Sequence, residues 1–195
     1  MGEPQLLIVP DEWSISDSRL RDRVNIKYPA IDSGIWPLLV DYMSLFRRYF
    51  DKLFPAWDAK AVPKKLFSEI QVLEGQYEEA EDLVRDRANL LSSLANVDGS
   101  VVLTKKLRLL GFGAEVIAPS PALHEIKIAN DPLCSSDKIC PITEYGTRHR
   151  SALRFCSSHE GVLAFIVSQD GAIRAVRRVG ADVVLWPGIV EEPLY

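Results

Sequence analysis

Between Asn96 and Ser100 the spacing of apolar residues changes from three-and-four to two, and this change of period restricts the fold more than any other feature of the chain. Upstream, "YEEAEDLVRDRANLLSSLANVDG" sets Ala80, Leu83, Val84, Leu90, Leu91 and Leu94 on one helical face. Acidic residues fill its first turn, where they suit the positive end of the helix dipole, and the helix is predicted to end near Asn96. Downstream, "SVVLTKKLRLLGFGAEV" reads as two β-segments joined by a polar Thr104-Lys105-Lys106 turn, with Gly111 and Gly113 marking a bulge or a close backbone approach. "GVLAFIVSQDGAIRAVRR" repeats the arrangement around Gln169-Asp170-Gly171, and "ADVVLWPG" supplies a last strand. Between these pairs lies a long proline-rich excursion with one predicted strand at "HEIKIA". Strands and helices alternate, so the predicted class is α/β, a mixed β-sheet flanked by helices.

The N-terminal part reads differently. Residues 1–29 have a short apolar patch, "LLIVP", and no sustained period. From Ile35 to Phe54, Leu38, Leu39, Tyr42, Leu45, Phe46, Tyr49, Phe50 and Leu53 form a helical stripe that Pro55 is predicted to end. An aromatic stripe of this kind has to be covered, either by the rest of the chain or by another subunit of a homo-oligomer. "AVPKKLFSEIQVLEG" is ambiguous, with a short strand over Phe67 to Leu73 as the preferred reading. The predicted organisation is a helical accessory region over 1–75 and a second domain over 76–195.

Charge and cysteine content narrow the function classes. The 195 residues carry a net charge of −4, so the chain lacks the basic field of a general nucleic-acid or membrane-surface binder, and any anion site must be local. Cys134, Cys140 and Cys156 follow neither an even count nor a C-x-x-C spacing, which fits plain thiols in a reducing compartment. The start, "MGEPQLLIVPDEW", has acidic residues where a signal peptide has basic ones, and no apolar run approaches a membrane span. A cytoplasmic location is expected.

The local anion site is predicted at "GTRHRSA", residues 146–152, at the start of a helix whose Ala152, Phe155 and Cys156 face the core. If Thr147 caps this helix, the unpaired first-turn amides already attract an anion. Arg148 and Arg150 add planar forks of donors matched to phosphate oxygens, and His149 a further hydrogen bond. The alternative reading is a basic helix start paired with Glu144 and Glu160. A second stretch, "NVDGS" (residues 96–100), is either an ordinary Asp-Gly turn or a sheet-end carboxylate that holds a divalent metal or orients a sugar hydroxyl.

The two stretches in this order, with a β-hairpin between them and "VLAFIVSQDG" after them, resemble the diadenylate cyclase domain, the family that includes the DNA integrity scanning protein DisA. That family has an Asp-Gly-Ala motif followed by Gly-Thr-Arg-His-Arg. The likeness runs from about Leu83 to the C-terminus. It implies an adenine nucleotide as partner and, in active members, two domains meeting face to face to convert two ATP to cyclic di-AMP with Mg2+ or Mn2+. By position it implies that Asp98 orients the ribose hydroxyl and the metal. Gly99 would let backbone approach the nucleotide, beside Ser100. Gly146, Thr147, Arg148, His149, Arg150 and Ser151 would hold phosphates, with Ser168 and Gln169 beside them.

Three departures bear on activity. The family's strand serine is usually followed by acidic residues, whereas Ser168 is followed by Gln169, and a neutral amide is a poor ligand for a hard cation. Ser100 replaces an alanine, and the proline-rich insertion is longer than is typical. In these respects the chain is similar to the diverged relatives called DACNV, described as nucleotide-sensor domains. The expectation is a sensor that binds ATP, cyclic di-AMP or a related nucleotide without efficient catalysis, with an active diadenylate cyclase as the alternative.

Overall fold

The computed structural model describes residues 5–30, 34–57, 61–117, 123–131, 134, 138–167 and 172–189. In chain order the elements are β1 (Gln5–Val9), α1 (Ser18–Arg21), β2 (Val24–Pro29), α2 (Trp36–Trp57), α3 (Lys64–Leu94), β3 (Ser100–Thr104) and β4 (Leu109–Val116). There follow β5 (Glu125–Ile128), β6 (Lys138–Pro141), a single 3-10 turn at Ile142–Glu144, α4 (Thr147–Ser158), β7 (Leu163–Val167), β8 (Ile173–Val179) and β9 (Asp182–Trp186). They fall into two units: Met1–Asp32 with Ser93–Tyr195, and Ser33–Ser92.

The first unit is an α/β domain built on one mixed sheet, with strand order β2-β4-β3-β1-β7-β8-β9-β5-β6 among the described residues. Its centre is β1. In "QLLIV" the alternate residues Gln5, Leu7 and Val9 are buried, and Leu7 lies opposite Val102 of the parallel β3 and Ala164 of the antiparallel β7. α4 packs across β7, β8 and β9. It delivers Ala152, Leu153, Phe155 and Cys156, all fully buried, to a core shared with Leu7, Val9, Ile166, Val176 and Leu185. The β3–β4 hairpin forms as the alternation predicts, with the register shifts of a bulge between Ser100 and Leu103. β7 and β8 pair antiparallel from Leu163↔Arg177 to Val167↔Ile173; the Gln169-Asp170-Gly171 turn lies outside the described residues.

The second unit is an antiparallel helical hairpin. Tyr42 stacks on Tyr77 with ring centroids 5.2 Å apart and their hydroxyls 3.0 Å apart, and Lys52 Nζ donates to Glu69 Oε2 at 2.9 Å. The hydrogen bond to Tyr42, followed by burial, pushes the Tyr77 hydroxyl up to about 12. No helix among the described residues is long and apolar enough to cross a membrane.

Three sequence expectations are corrected. The strand over Phe67 to Leu73 is helix, because Ile70, Leu73, Tyr77 and Ala80 continue one face at spacings of three and four, with Ile70, Leu73 and Ala80 buried. Pro55 does not end α2, which runs to Trp57; so near the C-terminus the proline forfeits one i→i−4 hydrogen bond and crowds one carbonyl of the preceding turn without stopping the last two residues from being helical. The division at residue 75 falls inside α3, and β1 and β2 belong to the sheet. A five-residue strand has too few alternations to register as a period, and the partner of Gln5 is 95 residues away.

Gly75 lies in the interior of α3, and a Cβ added there would have no atom within 4 Å. Gly75→Ala should therefore stabilise the hairpin by about 0.5–1 kcal/mol through reduced freedom of the unfolded chain, measured as a raised midpoint in urea unfolding followed by circular dichroism.

Candidate anion-binding site

The helix that carries the basic cluster starts one residue earlier than a threonine cap would place it. Gly146 is the N-cap, extended at φ −66° and ψ 170°, and Thr147 is the first helical residue. The first intrahelical bond is Arg150 N–H to Gly146 carbonyl at 3.0 Å, so the amides of Thr147, Arg148 and His149 have no partner within the helix, and the N-cap glycine has no side chain to supply one. A Cβ on Gly146 would meet nothing within 4 Å, so the approach to these amides is open.

Beside this helix start is a cavity of about 490 Å³, within the range of small-molecule sites. Its wall comes from five parts of the first unit: Gln5 of β1, Lys27 of β2, Asp98 and Gly99 before β3 with Ser100 on it, Gly113 to Val116 of β4, and Thr147, Arg148 and Ser151 of α4. The two predicted stretches, 50 residues apart at Asp98 and Arg148, are thus brought to one place. Ser168 and Gln169 lie outside the described residues.

Arg148 Nη2 donates to Asp98 Oδ1 at 2.9 Å, with side chains 39% and 88% exposed. An ion pair this exposed contributes roughly 0–1 kcal/mol, so a phosphate competes for the guanidinium on favourable terms. His149 and Arg150 stand apart from the wall. His149 is buried, with Arg174 Nη1 2.9 Å from its Nε2. A guanidinium only donates, so Nε2 accepts and the ring proton sits on Nδ1. Three, four and seven residues before Ala152, Leu153 and Cys156, His149 lies on the buried face of α4 and is not among the residues that line the cavity. Arg150 Nη2 reaches Thr147 Oγ1 at 3.5 Å, and Ser151 Oγ donates to the Thr147 carbonyl at 3.0 Å.

The residues do not form a cage for a divalent cation. Two carboxylates, Asp98 and Glu115, line the cavity, Asp98 is held by a guanidinium, and no group of three or more His, Cys, Asp or Glu among the described residues is placed to share an ion. Mg2+ or Mn2+ in this cleft would depend on oxygens brought by a ligand.

Sequence reasoning passed over Gln5, Lys27 and Glu115. Gln5 is only 7% exposed; its Oε1 accepts from Ser100 Oγ at 3.1 Å, and its Nε2 is buried without a hydrogen-bond partner among the described residues. The signal was present: Gln5, Leu7 and Val9 share the inner face of "QLLIV", and a polar residue at an inner position of a strand requires a partner. Lys27 and Glu115 sit on polar positions of β2 and β4, and nothing in their local sequence separates them from ordinary surface residues.

Gly99 has a structural role of its own. Its φ is +115°, and an added Cβ would lie 2.5 Å from the carbonyl carbon of Gly113, itself at φ +63°. The close backbone approach expected at Gly113 is to Gly99, and both glycines line the cavity. No family model matches the chain, and neither a curated protein nor a solved structure matches it.

Gly99→Ala should cost about 2–4 kcal/mol, combining backbone strain with overpacking, and should lower the thermal midpoint markedly. Gly146→Ala, with open space around its Cβ and an ordinary φ, should change stability by less than about 1 kcal/mol.

Proposed function

We propose that this cleft binds an adenine nucleotide, ATP, cyclic di-AMP or a related one, through its phosphates, and that the chain acts as a nucleotide sensor without efficient catalysis. The observation that carries the reading is the coincidence, in one 490 Å³ cavity, of a helix start with a glycine cap, the Arg148 guanidinium and the buried Gln5 amide, whose Nε2 has no hydrogen-bond partner among the described residues. Phosphate oxygens accept from the first-turn amides of α4 and from Arg148, which exchanges Asp98 for the ligand. Lys27 supplies further positive charge from β2. Gln5 Nε2 then has an acceptor, so binding relieves a desolvation cost that the free protein carries. Adenine enters through the resemblance of "DGS" and "GTRHR" to the diadenylate cyclase family. The expected absence of turnover rests on the sequence, in which Gln169 follows Ser168 where the family resemblance would have a carboxylate to assist a cation.

Calorimetry of the full chain with ATP and with cyclic di-AMP, each with and without EDTA, tests this. Binding should survive EDTA. Arg148→Ala should weaken it by about 10–150-fold, or about 1.5–3 kcal/mol, and Arg150→Ala by less. Gln5→Leu combined with Ser100→Ala should leave the thermal midpoint level or raised while lowering affinity, because both members of a buried polar pair become apolar together. Failure of any nucleotide to bind at millimolar concentration would refute the assignment. Cyclic di-AMP formed from ATP and Mn2+, and abolished by Asp98→Asn, would replace the sensor with the enzyme.

A further inference from the structure

α2 carries two apolar stripes rather than one. Tyr42 and Tyr49 make ring and hydrogen-bond contacts with α3. About 100° around the helix, Val40, Met43, Arg47, Phe50, Phe54 and Trp57 repeat at intervals of three and four, the spacing of a coiled-coil seam. Val40 is 50% exposed, Met43 58%, Phe54 66% and Trp57 72%. Four exposed apolar side chains and the half-buried Phe50, in heptad register with Arg47 among them, form one strip along the helix, unlike the scattered apolar residues of an ordinary surface.

We infer that this stripe is the seam of a homodimer in which α2 packs antiparallel against α2 of a second copy. Charge chooses both the occupant and the direction. Arg47 is the one cation in the stripe, paired within the helix to Asp51 at 3.8 Å, with side chains 85% and 72% exposed. A parallel seam would set Arg47 against Arg47 among apolar groups. An antiparallel seam with Val40 opposite Trp57, Met43 opposite Phe54 and Arg47 opposite Phe50 places each guanidinium over an aromatic ring and beside Asp51 of the other copy. The same register pairs the small and flexible residues with the large ones, as interdigitation requires. From the exposed fractions, the stripe offers about 500 Å² per copy, so a pair buries at most about 1,000 Å², the lower limit for a specific interface and the size of a weak dimer. This assignment is independent of the nucleotide cleft.

Sedimentation velocity of the full chain from about 1 to 100 µM, without nucleotide, should report a dimer. Met43→Glu with Phe54→Glu should give a monomer with unchanged helical circular dichroism. Should that variant lose its fold, Arg47→Glu provides the second arm: the site is fully solvated, and a glutamate set beside Asp51 of the other copy should weaken the dimer at least tenfold. For direction, in a Cys134→Ser background, mild oxidation should link Val40→Cys to Trp57→Cys in a mixture and should not link Val40→Cys to itself. A wild-type monomer at 100 µM, whether its stripe is open or covered by its own chain, overturns the inference. So does a dimer indifferent to these substitutions, and so does a Val40→Cys homodisulfide.

Discussion

The pairing of β1 with strands that lie far along the chain on both sides is the interaction on which the α/β unit depends. Gln5 to Val9 insert between Ser100–Thr104 and Leu163–Val167, and without them the sheet divides into two halves with unpaired inner edges. Leu7 and Val9 fill the layer under α4 that Phe155 and Leu153 occupy from the other side. The first residue of the same strand faces the same way, but it is a glutamine. Where the sheet centre would otherwise continue as hydrocarbon, it ends in an amide and a serine hydroxyl, and the candidate site begins there.

The site is therefore a set of strand and helix ends and owes little to loops. Gly99 and Gly113 bring the backbones at the ends of β3 and β4 into contact, which fixes the floor, and the start of α4 supplies oriented amide dipoles at the rim. Because these groups are held by the sheet and by a helix whose core face is fully buried, little reorganisation is needed to receive an anion. In the proposed binding mode the side chains that change partner are the exposed ones, Arg148 and Asp98. His149 contributes from behind, tying the first turn of α4 to Arg174 on β8.

What could be read from the sequence followed how local the determining interactions are. The β3–β4 and β7–β8 hairpins and the core face of α4 were legible, since period and turn chemistry act over a few residues. α3 was read as strand over Phe67 to Leu73 because a short apolar run fits either period, and the burial that decides the matter comes from α2, with Tyr42 and Lys52 meeting Tyr77 and Glu69. β1 was not legible because its strand identity depends on partners far along the chain. The convergence of Asp98 with Arg148 was anticipated only through motif resemblance. The inward turn of His149 was legible, since it lies three, four and seven residues before Ala152, Leu153 and Cys156 and so shares their buried face of α4.

The helical hairpin is inserted between β2 and β3, and this has a consequence for synthesis. β1 leaves the ribosome before β3, which follows 95 residues later, a delay of about 5–20 s at ordinary elongation rates. The hairpin needs only its own neighbours and can form within microseconds to milliseconds of emerging. During the interval the nascent chain holds finished helices and an apolar strand, Leu6 to Val9, with nothing to pair to. The order of elements makes "LLIVP" an apolar segment that waits, during synthesis, for sheet partners not yet made.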